Sequence, residues 1–319
     1  MTARKSEDFS VAKPGRWALT VLVAALALTN CAGKSMHAGS AVSITPADRL
    51  YVSIGDSYAA GYRPMASGPG STTTDGFAYQ IAARGRIAGK SLKLVNFGCS
   101  GVTSTQLREE SGCAAAALGP DAPDYPGRSQ ADAATAFVAA HRSQLALITV
   151  IIGGNDIKPC VQESDGSPRP DAMSCLTAAG EVLKTNLTAV LSGIRAAAGS
   201  AVPIVGLTYP DMYLGAWVAT TPGARDLATA SVKLFRDLLN PMLKTEYGDA
   251  GMSFADITAA TGGYGPLSDV VTDPQYGTIP KPVARVCALT YYCQFGDVHP
   301  TVGGHLVIAD QVLALAHAS

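Results

Sequence analysis

The feature that most constrains this chain is the alternation of short, almost wholly apolar runs with longer helical stretches. The clearest run is Leu145–Ile152 (LALITVII), and 50–54, 92–97, 202–207 and 252–257 are of the same kind. These runs show no regular in-and-out alternation, so each strand must be apolar on both faces, as in a parallel sheet covered by helices. Helical patterns fill the intervals at 77–87, 131–141, 174–198, 224–247 and 301–316. The expected fold is one three-layer α/β domain around a five-stranded parallel sheet. Two stretches, 112–127 and 261–295, carry no clear pattern and are expected to be irregular. Apolar residues make up 47% of the 319 and charged residues 15%. That supplies a large core and too little charge for a disordered chain. The net charge is −1, with Lys and Arg scattered, so no basic surface points to a nucleic-acid partner.

The N-terminal part stands apart. Lys5, Lys13 and Arg16 precede the apolar run Trp17–Leu28, which has the length of a signal-peptide core and is short for a spanning helix. Residues 1–31 therefore read as an export signal, 32–46 as a small-residue tether, and 47–319 as the folded domain. Cys31 follows the apolar run directly, in Leu28-Thr29-Asn30-Cys31. This resembles a bacterial lipobox, whose cysteine carries the lipid that anchors the mature protein at the outer face of the cell membrane. Asn30 departs from that pattern, and ordinary cleavage between about Ala32 and Ala41, releasing a secreted protein, is the alternative. The other six cysteines, Cys99, Cys113, Cys160, Cys175, Cys287 and Cys293, fall into neighbours with short gaps. Six cysteines allow 15 connectivities; pairing of sequential neighbours as disulfides is the expectation for an exported chain. None has the spacing of a zinc site, and no metal or other cofactor is expected.

The chemistry-bearing residues lie where the strands end. The first strand leads into Ile54-Gly55-Asp56-Ser57-Tyr58, and in open parallel sheets the ligand crevice lies at the carboxyl ends of the strands. A serine hydroxyl is a weak nucleophile until a base takes its proton. Of five histidines, His37 lies in the tether, His317 at the C-terminus, and His141 and His305 in helical patterns. His299, in Gly296-Asp297-Val298-His299-Pro300, is in a loop beside a carboxylate. The second and third strands end in Asn96-Phe97-Gly98-Cys99-Ser100-Gly101 and Gly153-Gly154-Asn155-Asp156. A glycine N–H and an asparagine amide are suitable donors to the oxyanion of ester hydrolysis.

Taken together, these four blocks resemble the SGNH hydrolase superfamily, also called GDSL lipases and esterases, in the right order across the whole expected domain. The resemblance implies a flavodoxin-like sheet and Ser57 as nucleophile with His299 as its base. It also implies an oxyanion hole of the Ser57 N–H, the Gly101 N–H and the Asn155 side chain. The last block departs from the pattern: the family's acid stands three residues before the histidine, here Gly296, whereas Asp297 is two before. Either Asp297 or a backbone carbonyl near Phe295–Gly296 orients His299. Asp56 reads as a carboxylate bracing its loop. The expected activity is hydrolysis of a carboxylic ester (lipid, acylated sugar or small ester) through an acyl-enzyme, by a monomer. The alternative is a non-catalytic surface lipoprotein that binds glycan or lipid on the same frame. No Gly-x-Ser-x-Gly supports an α/β-hydrolase, and no Gly-x-Gly-x-x-Gly supports a dinucleotide fold.

Overall fold

The computed structural model describes residues 43–163 and 167–317, with the side chain of His317 not included. The expected export signal (residues 1–31), with Cys31, and His37 lie outside the described residues. In chain order the strands are β1 (Arg49–Gly55), a small hairpin β2 (Tyr62–Arg63) and β3 (Ser71–Thr72), β4 (Arg86–Ile87) and β5 (Lys90–Asn96). Then follow β6 (Leu145–Ile151), β7 (Ile204–Leu207), β8 (Ser253–Ala255), and a second hairpin β9 (Val270–Asp273) and β10 (Gly277–Pro280). The main sheet runs β4-β5-β1-β6-β7-β8. Four parallel pairings join β5, β1, β6, β7 and β8, and β4 is added antiparallel at one edge. The sheet thus has six strands where five are expected. The sixth is a two-residue return, in which Ala88 and Gly89, both at positive φ, turn the chain back into β5. The same return shortens the expected helix 77–87 to Phe77–Arg84. Gly85 closes that helix, packed so tightly on the Ile81 carbonyl that a Cβ there would stand 2.5 Å from it.

Every residue of β6 is buried, and β1 is buried from Leu50 onward. This is the environment that apolar character on both faces demands. Helices cover the sheet on both sides. Phe77–Arg84 packs against the closing helix Val302–His317, while Gln130–Ala140 packs against the long helix Ala172–Ala198. The register sets Ser53 beside Asn96 and Gly55 beside Ile151. Strands β5, β1 and β6 therefore end nearly level, and the three loops that leave them emerge side by side. Because β1 lies between β5 and β6, the strand order reverses there, which is where such sheets open a crevice.

The expectation of an irregular 261–295 is corrected. Besides the hairpin, this stretch contains the helices Lys281–Leu289 and Tyr292–Phe295. They form because Ile279, Val283, Val286 and Cys287 bury against Leu214 and Val232 in a satellite core of their own. The stretch 112–127 remains mostly irregular, with one 3₁₀ turn at Ala115–Ala117. Among the described residues, no helix is long and apolar enough to cross a membrane.

Candidate active site

The turn after β1 is built around a glycine that no other residue can replace. Gly55 has φ +146°, and a Cβ there would stand 1.9 Å from the Ile151 carbonyl oxygen. Asp56 then caps the short helix Ser57–Ala60 by accepting from the Tyr58 N–H at 3.0 Å. Its other oxygen accepts from the Tyr209 hydroxyl, which in turn accepts from the Gly154 N–H at 3.0 Å. Burial pushes the Asp56 carboxyl up to about 6, against the opposing pull of Tyr209 and the Tyr58 N–H. The side chain of Gln130 grips Gly55 from behind through both its N–H (2.8 Å) and its carbonyl (3.1 Å).

Ser57 Oγ lies 2.8 Å from His299 Nε2, and His299 Nδ1 lies 2.7 Å from Asp297 Oδ1. An ionised carboxylate only accepts, so Nδ1 carries the ring proton and Nε2 presents a lone pair to the serine hydroxyl. The spacing of two residues suffices because of the local turn. Gly296, at φ +67°, ends the helix Tyr292–Phe295, and Asp297 Oδ1 also accepts from the His299 backbone N–H at 2.9 Å. Burial raises the Asp297 carboxyl, but the His299 ring and backbone N–H groups, with Lys158 nearby, outweigh it and hold the group below the ordinary carboxylate value. The His299 loop is tied to the Ser57 helix by the Tyr58 hydroxyl, which donates to the Val298 carbonyl at 2.6 Å. Tyr62 packs on the imidazole with ring centres 4.5 Å apart.

The other two loops are pinned to this one. The Cys99 N–H donates to Gly55 O at 3.0 Å. Beyond it Gly101, at φ +90°, takes a conformation that disfavours a side chain although space is open around it. Asn155 stands in the first turn of the helix Gly154–Val161 and donates one amide hydrogen to the Val102 carbonyl at 2.9 Å. Among the described residues its second amide hydrogen has no hydrogen-bond acceptor. Asp156 accepts from both the backbone N–H and the hydroxyl of Ser104, fixing the Gly101 loop from its far end. Ser57 and Asn155 share a shallow cleft of about 20 Å³ with Lys158, Met212, Tyr213 and Val298. A larger cavity of about 570 Å³ borders the Gly101–Val102 loop and is lined by Gln106, Glu110, Tyr125 and Gln130 among others.

Cys99 is bonded to Cys113, Cys160 to Cys175 and Cys287 to Cys293. The first pair holds the irregular stretch against the Gly101 loop. Among the described residues, no group of three or more His, Cys, Asp or Glu side chains is placed to hold a metal. His305 is a core residue behind the site: its Nδ1 accepts from the Phe77 N–H at 3.2 Å, and burial drives it down to about 3, so it is neutral. His141 stacks on Phe137.

The model of the GDSL-like lipase/acylhydrolase family matches residues 53–307. The chain belongs to this family. It is accordingly a carboxylic ester hydrolase of the SGNH type. Among solved structures, an extracellular lipase from Streptomyces rimosus is similar at 17% identity and TM-score 0.52, over 83% of this chain and 99% of that one. A phospholipase A1 from Streptomyces albidoflavus NA297 is similar at 19% identity and TM-score 0.50, over 84% and 100%. At these identities the two establish a shared fold. A search of curated protein sequences finds no match.

Several residues of this hydrolase site escape a reading of the sequence. Tyr209, 153 positions after Asp56, joins two motif blocks through one hydroxyl. Met212 and Tyr213, in the turn after it, line the cleft. Of the loop tyrosines, Tyr58 and Tyr62 stand at the site, Tyr291 stacks on Phe295, and the Tyr292 hydroxyl donates to Gln162 at a separate cavity. The only local signal for Tyr209 is that it follows the end of a parallel strand.

Proposed function

We propose that Ser57, His299 and Asp297 are the catalytic triad of this ester hydrolase. The observation that carries the reading is the continuous chain Ser57 Oγ–His299 Nε2 at 2.8 Å and His299 Nδ1–Asp297 Oδ1 at 2.7 Å. Ser57 Oγ attacks the ester carbonyl carbon while His299 Nε2 takes its proton. The carbonyl oxygen becomes an oxyanion, held by the Ser57 N–H, the Gly101 N–H and the free amide hydrogen of Asn155. His299 then gives the proton to the departing alkoxide, leaving an acyl group on Ser57. Water, deprotonated by the same nitrogen, attacks the acyl-enzyme and releases the acid. Asp297 holds the ring in the Nδ1–H form and stabilises the imidazolium.

The substrate is a lipid, acylated-sugar or small carboxylic ester whose reacting carbonyl enters a shallow cleft, with the remainder lying across the surrounding loops. In this reading the chain is exported by residues 1–31 and held at the outer face of the cell membrane through Cys31, with secretion after ordinary cleavage as the alternative, and acts as a monomer. Three disulfides in one domain support export. The test of the triad is Ser57→Ala, which removes only a hydroxyl. Hydrolysis of 4-nitrophenyl esters falls by roughly 10⁵–10⁶ with the circular dichroism spectrum unchanged, and labelling by a fluorophosphonate probe is lost. A wild-type protein that reacts with neither reagent would favour the non-catalytic binding protein.

A further inference from the structure

The cleft directly at Ser57 is small, about 20 Å³, little more than one water-sized group, so the side chains on its rim meet whatever flanks the scissile carbonyl. Charge is distributed unevenly there. The three carboxylates of the site are committed: Asp56 to Tyr209 and the Tyr58 N–H, Asp156 to Ser104, and Asp297 to His299. Lys158 is different. It lines the cleft with Ser57 and Asn155, is exposed, and belongs to none of the ion pairs among the described residues. It lies three residues after Asn155 in the helix Gly154–Val161, and residues at that spacing share a helix face. Its charge reaches the catalytic machinery, since it helps to hold Asp297 ionised.

We infer that Lys158 is a specificity residue that draws in esters bearing an anionic group, carboxylate or phosphate, close to the scissile carbonyl. The inference rests on the Ser57–His299 reading of the site. The ammonium is a mobile point charge on a four-carbon stem, suited to an anion on either side of the ester rather than to one fixed geometry. Met212 and Tyr213, which line another part of the cleft, are uncharged side chains.

Two substrate pairs separate the two sources of the anion. Mono-4-nitrophenyl adipate against 4-nitrophenyl hexanoate places a carboxylate on the acyl side at equal chain length. Dihexanoylphosphatidic acid against 1,2-dihexanoylglycerol, below their critical micelle concentrations, places a phosphate on the alcohol side. The readout is the ratio of kcat/KM for the anionic ester to that for its neutral partner. Whatever Lys158 does through Asp297 affects both members of a pair and cancels. In at least one pair, Lys158→Gln lowers the ratio roughly five- to thirtyfold, as expected for one charge pair in partly screened surroundings. Lys158→Arg restores it, and 0.5 M NaCl reduces the wild-type ratio. The pair that responds identifies the side on which the anion sits. Ratios in both pairs that are unchanged by Lys158→Gln would overturn the inference while leaving the triad intact. Absence of hydrolysis of all four esters by the wild type would count against the triad reading itself.

Discussion

Asp211 provides a sharp test of how this fold tolerates buried charge. It precedes the cleft residues Met212 and Tyr213 and is fully buried. Ser231 donates to its Oδ2 at 2.9 Å, the N–H groups of Leu214 and Tyr213 face it, and Oδ1 has no partner among the described residues. Tyr213 and Tyr292 are the titratable neighbours, and no cation pairs with it among the described ion pairs. Burial therefore pushes the carboxyl up from 3.8 to about 7. Because the folded value is the higher one, the folded chain keeps its proton between about pH 4 and 7 while the unfolded chain releases it. Stability from this group is greatest below pH 4 and falls as pH rises through that window. The full difference corresponds to about 4 kcal/mol at pH 8; with local relaxation, about 1–3 kcal/mol is expected. Asp211→Asn keeps the shape and the acceptor for Ser231 and places its amide where Oδ1 has nothing to lose. Thermal unfolding followed by circular dichroism should give nearly equal Tm values for variant and wild type at pH 4.5. At pH 8 the variant should melt roughly 2–8 °C higher. Asp56 and Asp297 titrate in both proteins and drop out of the difference. A difference in Tm that is the same at both pH values would refute the argument.

Asn155→Ala should lower kcat on a neutral ester by roughly 10²–10³ with little change in KM, because the free amide hydrogen acts on the oxyanion rather than on the ground state; a change confined to KM would make it a binding residue. Asp297→Asn and Asp297→Ala both remove the carboxylate that fixes the ring tautomer and stabilises the imidazolium, and each should lower kcat by roughly 10³–10⁴; a fall of less than about tenfold in both variants would show that His299 does not depend on Asp297. Cys31→Ala should move the protein from the detergent to the aqueous phase in phase partitioning, because a diacylated cysteine supplies a two-chain anchor; an aqueous wild type would remove the anchor and leave catalysis unaffected.

The strands were legible because a strand buried on both faces has almost nothing polar in it: Leu145–Ile151 is apolar but for Thr149 and is buried at every position. The places where two of the strands end were legible for a related reason, since Gly55 and Gly153 interrupt those runs at positions where positive φ is needed. Elements defined by distant contacts were not. Strand β4 is two residues long and exists only by pairing with Lys90 and Ser91. The helix Lys281–Leu289 is too short for its pattern to stand out and is stabilised by Leu214 and Val232, some 50 or more positions upstream. The choice between Asp297 and a carbonyl as the partner of His299 hung on one turn, and the left-handed Gly296 that makes it is visible only in three dimensions. Tyr209 carries no local mark because its role depends on reaching Asp56 across the sheet.

That last contact bears on how the donors of the proposed oxyanion hole are held in place. An oxyanion hole works only if its donors need not reorient as charge develops. Here each donor-bearing loop is restrained by a polar group from another. Tyr209 joins Asp56 to the Gly154 N–H, Asn155 is held by the Val102 carbonyl, and Asp156 holds Ser104. The Val102 contact occupies one amide hydrogen of Asn155 and thereby fixes the direction of the other. Gln130 fastens Gly55, from which the nucleophile turn departs. The arrangement requires burying the Asp56 carboxyl, and that burial raises the group only to about 6. Tyr209 and the Tyr58 N–H converge on that carboxyl, so Asp56 ties the Ser57 turn to the Gly154 N–H.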